Sequence, residues 1–373
     1  MRLTFYLPLL NHHQACLADA LYDVLGSNFK FVELNREYES KGATEDYSTR
    51  PYLLRPWLSQ TQMDEAELLL FDSDVCVFAS YEALPYLIKR AQTGKVSFDI
   101  SERWLKKGWW NILSPRLLKM AFCYYRFCRK QPLYKLCASA FAADDFKRLG
   151  MFKNRCYRWG YFTYVPDSIN IKDRGHLNIM WCSRFISWKH PELPILLANK
   201  LRNEGIDFSI DMYGTGELVP MCQSLVERMN LSHQVHFKGF CSNDEILAAM
   251  SEHDIFLFTS DRNEGWGAVL NEAMGVGCIP IVSDEIGAAP FLINDGVNGL
   301  LFKSNNLDSL YDKVKFLLAN PEIRIRMARE SHLVMKNVWS SRNAARNLLS
   351  LSESILQGRE SNIEYGPGSK IYM

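Results

Sequence analysis

Two glutamates with two glycines between them form the part of the chain best suited to chemistry. Glu264 and Glu272 lie eight positions apart, and Gly265 and Gly267 follow the first of them. The pattern predicts a buried strand, a glycine-containing turn and then a helix, which directs backbone N–H groups at a ligand such as a phosphate. If both glutamates were helical, they would lie about 12 Å apart along the axis and could contact two ends of one extended ligand. Taken alone, they also fit a solvated helix whose first turn favours acidic residues.

Two cations follow another predicted strand, over residues 177–182. Arg184 and Lys189 come after its carboxyl end and before a helix, which is where doubly wound sheets bind ligands. Two cations there suit a diphosphate. Gly214 and Gly216 follow a third strand, although their pattern is equally typical of an ordinary strand-to-helix turn.

Residues 177–335 resemble the donor-binding domain of glycosyltransferase family 4, a family of retaining enzymes with the GT-B fold. The Glu-x7-Glu motif of that family matches Glu264 and Glu272. Its Arg and Lys, five positions apart, match Arg184 and Lys189. Three further family motifs match at residues 214–216, 272–280 and 294–300.

The resemblance implies a role for each of these residues. Arg184 and Lys189 would neutralise the nucleotide diphosphate. Glu264 would contact hydroxyls of the transferred sugar, and Glu272 would hold the ribose. The other residues expected to bind the nucleotide-sugar are Gly265, Trp266, Gly267, Ala268, Gly214 and Gly216. Fixed cations and amides stabilise the charge that forms on the departing diphosphate, so the resemblance implies no metal, no cofactor beyond the nucleotide-sugar co-substrate and no protein nucleophile.

The chain also departs from the family pattern. Ser183 and His190 stand where the family usually has glycine before and after the Arg/Lys stretch. The usual Gly-Gly-x-x-Glu loop reads Gly-Ala-Ala-Pro-Phe at residues 287–291 and lacks the carboxylate. The identity of the donor is therefore left open.

Short apolar runs alternate with helix-length amphipathic segments along both halves, which predicts an α/β protein with parallel sheets. We expect a Rossmann-like acceptor-binding domain over residues 1–168 and a Rossmann-like nucleotide-sugar-binding domain over residues 169–340, with a turn-rich hinge at 165–175. The resemblance implies GT-B architecture, in which two such domains face each other across a cleft and C-terminal helices follow. A helix over 341–357 is expected to cross back to the first domain, and 358–373 to form a flexible tail. Predicted strands include residues 3–7, 29–33, 75–79, 95–99, 138–142, 207–213, 235–239, 255–259 and 278–283.

Polar residues at predicted strand ends of the first domain are candidates for binding the acceptor. His12 and His13 follow the first strand, and Glu82 and Glu102 follow later ones. A carboxylate there could orient the acceptor hydroxyl. Each of these side chains also fits an ordinary helix cap or a solvated surface.

Residues 103–135 carry nine Lys or Arg residues, eight aromatic residues and no acid. Basic side chains interleaved with Trp and Tyr suit the headgroup layer of a membrane. The segment therefore predicts peripheral membrane contact. Stacking on single-stranded nucleic acid is an alternative, as is an aromatic core helix with a solvated basic face. Binding to single-stranded nucleic acid is disfavoured because no nucleic-acid module surrounds the segment.

Composition excludes several classes of protein. The chain has 373 residues, of which 47% are hydrophobic and 23% charged, which is typical of a globular protein of two or three domains. A net charge of +1 provides no overall field to attract nucleic acid. The ten cysteines form no C-x-x-C pair and indicate reduced thiols of a cytosolic protein. No apolar run reaches the roughly 18 residues of a membrane span, and the first apolar run predicts a strand rather than a signal peptide.

The resemblance, together with the basic aromatic segment, implies a retaining enzyme that moves a hexose-type sugar from a UDP- or GDP-sugar to a saccharide or lipid-linked saccharide acceptor in cell-surface polysaccharide biosynthesis. It is expected in the cytoplasm, peripheral on the inner face of the cytoplasmic membrane. One alternative is a catalytically inactive GT-B-like protein that binds sugar nucleotides or acts as an assembly scaffold. Another follows from Asp72 and Asp74, which resemble the metal-binding Asp-x-Asp of the GT-A fold, although they more simply end a helix.

Overall fold

The computed structural model describes residues 1–35, 47–169 and 176–372. The chain forms two compact units, of which the first combines Met1–Thr163 with Val338–Met373 and the second is Tyr164–Asn337. We predict a domain boundary after residue 168, and the observed boundary lies slightly earlier, after Thr163. Residues 170–175 of the predicted hinge lie outside the described residues.

An eight-stranded sheet organises the described part of the first unit. Its order is β14-β7-β6-β5-β4-β1-β2-β3. The strands are β1 (Leu3–Leu7), β2 (Phe29–Glu33), β3 (Leu53–Leu54), β4 (Val75–Ala79), β5 (Ser97–Ser101), β6 (Leu133–Cys137), β7 (Cys156–Arg158) and β14 (Lys370–Ile371). The helices are α1 (His12–Leu25), α2 (Gln60–Asp72), α3 (Leu84–Ala91), α4 (Pro115–Cys123), α5 (Ala142–Arg148) and α13 (Ser341–Leu356).

The second unit contains six parallel strands in the order β10-β9-β8-β11-β12-β13 among the residues described. The strands are β8 (Leu177–Cys182), β9 (Phe208–Tyr213), β10 (Val235–Gly239), β11 (Ile255–Phe258), β12 (Ile279–Ser283) and β13 (Leu300–Phe302). The helices are α6 (Glu192–Asn203), α7 (Val219–Arg228), α8 (Asn243–Glu252), α9 (Val269–Gly275), α10 (Ala289–Leu292), α11 (Leu307–Ala319) and α12 (Pro321–Asn337).

Strand order reverses once in each sheet, between β1 and β4 in the first unit and between β8 and β11 in the second. The connections leave the two neighbouring strands in opposite directions at such a point, so a crevice opens beyond their carboxyl ends. The predicted α/β architecture is confirmed, and the topology indicates where each unit can bind a ligand.

Two first-unit strands differ from their predictions. The run at 138–142 is not a strand, because β6 ends at Cys137 and α5 begins at Ala142. A lysine in the middle of β6 interrupts the apolar run by which a strand is predicted. In the structure the Lys135 side chain is fully buried, and its ammonium lies 2.6 Å from Asp99 Oδ2. Asp99 belongs to β5, which runs two residues beyond its predicted end. Buried charge is tolerated when it is paired, and a hydropathy pattern does not show the pairing.

The C-terminal residues also differ from the predicted flexible tail. Helix α13 belongs to the first unit. Beyond it, residues 366–369 are buried, and β14 pairs antiparallel with β7. Gly366 and Gly368 adopt positive φ angles of 82° and 84°, a conformation that glycine takes without strain. The Gly-Pro-Gly sequence therefore forms a turn that returns the chain to the sheet. In the described parts of the protein, no helix combines the length and the apolar character that crossing a bilayer requires.

The Asp99–Lys135 pair predicts a large effect of one substitution. Three aromatic rings surround the Lys135 ammonium, with centroids 4.6 to 5.6 Å away. Asp99→Ala would leave this charge buried without its carboxylate and should lower the free energy of unfolding by about 3 kcal/mol or more. The measurement is a urea titration followed by circular dichroism.

Glu67→Ala is the matched control, because it removes an acid from the ion pair with Lys89, whose side chains are nearly half exposed. A change within about 0.5 kcal/mol is expected there. If both substitutions had the same effect, the buried pair would contribute no more than a surface pair.

Candidate functional site

Glycines allow two segments of the second unit to lie side by side. A Cβ atom on Gly214 would lie 1.9 Å from the carbonyl oxygen of Ser183, and one on Gly216 would lie 2.4 Å from that of Phe185. The Phe185 N–H donates to the carbonyl of Thr215 at 2.9 Å. The glycine turn after β9 therefore supports the segment that follows β8, because no side chain would fit between them.

Lys189 and Glu264 meet as a buried ion pair, although 75 residues separate them. Each is less than a tenth exposed. The Ser260 hydroxyl also donates to Glu264 Oε2, at 3.2 Å. Burial lowers the pKa of Lys189, and the charge and hydrogen bond of Glu264 oppose this. The structure thus brings together the predicted cation and the predicted sugar-contacting carboxylate.

A hydrogen-bond relay fixes the position of Lys189. Thr259 Oγ1 accepts from Trp181 Nε1 at 2.9 Å and donates to the Lys189 carbonyl at 2.7 Å. The Asp261 N–H donates to the Trp188 carbonyl at 3.0 Å. Both contacts join the segment after β8 to the segment after β11. These strands flank the switch point of the sheet.

Trp188 connects the two predicted cations. Its ring centroid lies 4.3 Å from Lys189 Nζ and 5.8 Å from the Arg184 guanidinium. Arg184 is exposed, whereas Lys189 is buried. Sequence reasoning missed Trp188, and its place between the two cations in the sequence was the available signal. Contact with an aromatic face is favourable for both cations.

The turn between the two glutamates presents backbone rather than side chains. Trp266 is fully buried, and its Nε1–H donates to Asn271 Oδ1 at 2.9 Å. Gly267 has φ 88°, and a Cβ there would lie 2.4 Å from the Phe258 ring. Among the described residues, no side chain caps α9 at Ala268. The Leu270 N–H donates to the Gly267 carbonyl at 2.9 Å, so the backbone N–H groups of the turn itself are the candidate donors to an anion.

The two glutamates are not both helical. Helix α9 begins at Val269, because Gly265 and Gly267 prolong the turn, so Glu264 precedes the helix. Glu272 lies within it and is 6% exposed, and burial raises its pKa to about 7. The separation of about 12 Å therefore does not apply.

The first unit contains its own cavity of about 740 Å³ at the carboxyl ends of β1, β4 and β5. Of the four predicted acceptor residues, His13 and Glu102 line it, whereas His12 and Glu82 are not among its lining residues. Burial and the neighbouring His12 lower the pKa of His13 to about 3, which keeps its ring neutral. Glu102 accepts from Lys106 Nζ and from the Tyr161 hydroxyl, both at 3.1 Å.

Residues 103–135 divide into a buried and an exposed set. Lys135 pairs with Asp99, and Arg103 lies 3.3 Å from Asp145, so acids elsewhere in the chain neutralise them. We call the exposed remainder the α4 surface. Its cations are Lys107, Arg116, Lys119, Arg126, Arg129 and Lys130. Its large apolar side chains are Trp109, Trp110, Leu113, Leu118, Phe122 and Tyr125.

Asp72 and Asp74 lie at the amino end of β4, whereas the cavity lies at the carboxyl end. Asp72 forms an ion pair with Arg2 at 3.6 Å, and Asp74 Oδ2 accepts from the Arg2 N–H at 2.7 Å. This placement favours the interpretation that the two aspartates end α2.

Residues 169–333 match the model of a family described as glycosyl transferases group 1. An uncharacterized glycosyltransferase of Methanocaldococcus jannaschii is 34% identical over 119 residues, which cover 32% of this chain and 33% of the relative. The amylovoran biosynthesis glycosyltransferase AmsK of Erwinia amylovora is 30% identical over 154 residues, which cover 39% and 38%. The chain therefore spans 33% and 38% of the length of these two relatives.

A solved structure, HepE of Anabaena in complex with UDP and glucose, is similar over 95% of this chain and 100% of that chain. The TM-score is 0.68 and the sequence identity 13%. At that identity the similarity concerns the fold alone, and it confirms the predicted GT-B class with two Rossmann-like domains.

The raised pKa of Glu272 predicts how stability depends on pH. The folded protein favours the protonated carboxyl, so this contribution is complete below about pH 4.5 and is lost as the pH rises through about 7. Glu272→Gln imitates the protonated form. Its free energy of unfolding should match the wild type at acidic pH and exceed it by roughly 3 kcal/mol at about pH 8.

Urea titrations across this pH range test the prediction, with Glu322→Gln as the control at an exposed glutamate of α12. A difference between Glu272→Gln and wild type that stays constant with pH would contradict the expected titration.

Proposed function

Because residues 169–333 match the group 1 glycosyl transferase family and the chain has the GT-B fold, we propose that the protein is a retaining glycosyltransferase. It transfers a hexose-type sugar from a UDP- or GDP-sugar to a saccharide or lipid-linked saccharide in cell-surface polysaccharide biosynthesis. The observation that carries this proposal is the buried pair of Lys189 and Glu264 beside the glycine turn before α9. The AmsK relative, named for amylovoran biosynthesis, supports the polysaccharide context.

Departure of the nucleoside diphosphate is the step that the second unit can assist. Lys189 and Arg184 supply positive charge, and the turn at 265–268 supplies backbone N–H groups. Such groups act on the charge that forms in the transition state, and one of them typically contributes a factor of about 10² to 10³ in rate. In the proposed reaction these groups do the work that a divalent cation does in other transferases, so metal independence is part of the proposal.

The buried pair also explains how the site stays stable without a donor. A buried ammonium is costly unless an anion lies beside it. Glu264 provides that anion, and an arriving diphosphate can share the Lys189 ammonium. Glu264 is then placed to accept from hydroxyls of the sugar next to the diphosphate. Glu272 is proposed to hold the ribose.

The cavity of the first unit is the proposed site for the acceptor. Polar atoms on its lining residues that lack a hydrogen-bond partner within the described chain include His13 Nδ1, Ser101 Oγ and Arg103 Nε. Buried polar atoms are normally hydrogen-bonded, so small shifts that expose them would let them bind hydroxyl groups. The neutral His13 and the carboxylate of Glu102 suit a saccharide acceptor.

The α4 surface is proposed to rest on the inner face of the cytoplasmic membrane. Two of its tryptophans, Trp109 and Trp110, are 54% and 82% exposed, which is unusual for side chains of this size. They accompany six exposed cations, each of which contributes about 1 kcal/mol near an anionic membrane. Helix α4 also lines the acceptor cavity through Leu117 and Met120. A lipid-linked acceptor could therefore reach the cavity from the membrane.

The donor site is tested by Lys189→Met. A panel of UDP- and GDP-sugars is first screened for the compound that raises the melting temperature, since a ligand specific to the folded state stabilises it. With that donor, the substitution should lower the transfer rate by about 10² to 10³. A chelator should leave the wild-type rate unchanged, and NMR of the product should show a retained anomeric configuration.

Lys238→Met is the matched control, because Lys238 pairs with Asp211 elsewhere in the same unit. Donor binding without transfer or hydrolysis would identify the protein as a scaffold. Stabilisation by nicotinamide dinucleotides alone would contradict the proposal altogether.

Membrane contact is tested by reversing two charges of the α4 surface. Lys119→Glu with Arg126→Glu should weaken binding to vesicles that contain an anionic phospholipid by about thirtyfold or more. Binding of the wild type should fall at high salt, because exposed charges are screened. The measurement is vesicle flotation, with vesicles of zwitterionic lipid for comparison.

Lys147→Glu with Arg148→Glu provides the same change of charge on exposed residues at the end of α5. Equal losses of binding in the two double variants would mean that overall charge, and not the α4 surface, accounts for the interaction.

A further inference from the structure

His190 lies at the junction of the two segments that carry Lys189 and Glu264. Its backbone is left-handed, with φ 49° and ψ 56°. Glycine adopts this conformation without strain, whereas other residues do so rarely. A histidine that remains in this conformation must be held there by its surroundings, so the contacts of its side chain are informative.

Each nitrogen of the His190 ring faces a carboxylate. Nδ1 lies 3.0 Å from Glu192 Oε1, and Nε2 lies 3.5 Å from Asp261 Oδ2. The side chain is 15% exposed. A neutral imidazole has a single N–H, and only the imidazolium can donate from both nitrogens. The geometry therefore fits the protonated ring.

Asp261 transmits this contact to the turn that carries Glu264. Its N–H donates to the Trp188 carbonyl at 3.0 Å, and its carbonyl accepts from the Glu264 N–H at 3.0 Å. Its Oδ1 accepts from the Asn263 N–H at 2.8 Å. The His190 ring thus connects the start of α6, through Glu192, to the segment after β11.

The charges around His190 come from three elements. Glu192 belongs to α6, Asp261 and Glu264 lie in the segment after β11, and Lys189 precedes His190 itself. Lys189 pairs with Glu264, which leaves the imidazolium to neutralise Glu192 and Asp261. Loss of its proton would leave two carboxylates beside a ring with one donor. The hydrogen bond to Glu192 raises the pKa of His190, burial opposes this, and Asp261 raises it further.

We propose that protonated His190 is a positioning residue that clamps the Lys189 and Glu264 segments together and thereby sets the affinity for the diphosphate of the donor. This inference rests on the proposed function. The clamp is complete at low pH and is lost as the pH rises through the pKa of His190. His190 stands, in this chain, at the position where the related family usually has glycine.

The test uses His190→Gly, which removes the ring and keeps a residue that accepts the left-handed backbone. UDP is the probe, and its dissociation constant is measured by calorimetry between about pH 6 and about pH 9. At the lower pH the variant should bind UDP about tenfold more weakly than the wild type. At the higher pH the two proteins should converge, because the wild type has then lost its clamp.

Other groups titrate in this range, including Glu272 and UDP itself, but they are common to both proteins and cancel in the comparison. Glu192→Gln keeps a hydrogen-bond acceptor and removes one charge. It should move the midpoint of the pH dependence to lower pH. A purely structural role of His190 would change affinity without moving that midpoint.

His176→Asn is the matched control. His176 forms a pair with Asp207 at 2.9 Å at the amino end of β8, whereas the proposed donor site lies at the carboxyl end. UDP affinity and its pH dependence should match the wild type in this variant. A variant His190→Gly with wild-type affinity and wild-type pH dependence would overturn the proposal.

Hydrogen exchange without nucleotide separates the clamp from the proposed function. In the wild type, the backbone amides of residues 187–192 and 259–264 should exchange faster at about pH 9 than at about pH 6, after the rates have been corrected for the intrinsic effect of pH. In His190→Gly the same amides should exchange at the faster corrected rate over the whole pH range. If UDP fails to bind while this difference appears, the clamp stands and the donor assignment fails. If the two proteins exchange alike, the clamp is excluded whether or not UDP binds.

Discussion

The buried ion pair between Lys189 and Glu264 is the constraint on which the second unit depends. Neither charge is stable in a dry site without the other, so the segments after β8 and β11 must meet in one register. The relay from Trp181 through Thr259 to the Lys189 carbonyl fixes that register. The bare backbone of the glycine turn after β9 is what lets the Lys189 segment pack closely.

The first unit also contains a buried lysine whose charge a carboxylate neutralises. Lys135 is enclosed by aromatic rings and neutralised by Asp99, which also lines the cavity of that unit. In both units a lysine and a carboxylate from neighbouring strands or loops meet. The pair of the second unit follows β8 and β11, which flank the reversal of strand order, whereas Asp99 and Lys135 lie on β5 and β6. One pair lies in the proposed donor site, and Asp99 of the other pair lines the proposed acceptor cavity, so charge pairing contributes to both sites.

The sequence was sufficient to predict the α/β class, most strands and that the Lys189 and Glu264 segments follow strands of the second domain, because apolar runs and glycine turns are local signals. It could not predict contacts between distant residues. Nothing local indicates that Lys189 pairs with Glu264 or that His190 contacts Asp261. The same limit explains β6, whose central lysine looks exposed until Asp99 is placed beside it. Residues 358–373 are predicted to form a flexible tail because the strand that β14 joins, β7, is more than 200 residues away and leaves no local signal.

The pairing of β14 with β7 has a consequence for how the molecule is made. The ribosome releases residues 1–163 long before it releases α13 and β14, which belong to the same unit. All residues of the second unit emerge in between. In most proteins the N-terminal domain folds first during synthesis. Here the second unit can complete its fold before the first, because the first unit lacks α13 and β14 until the end of the chain has emerged.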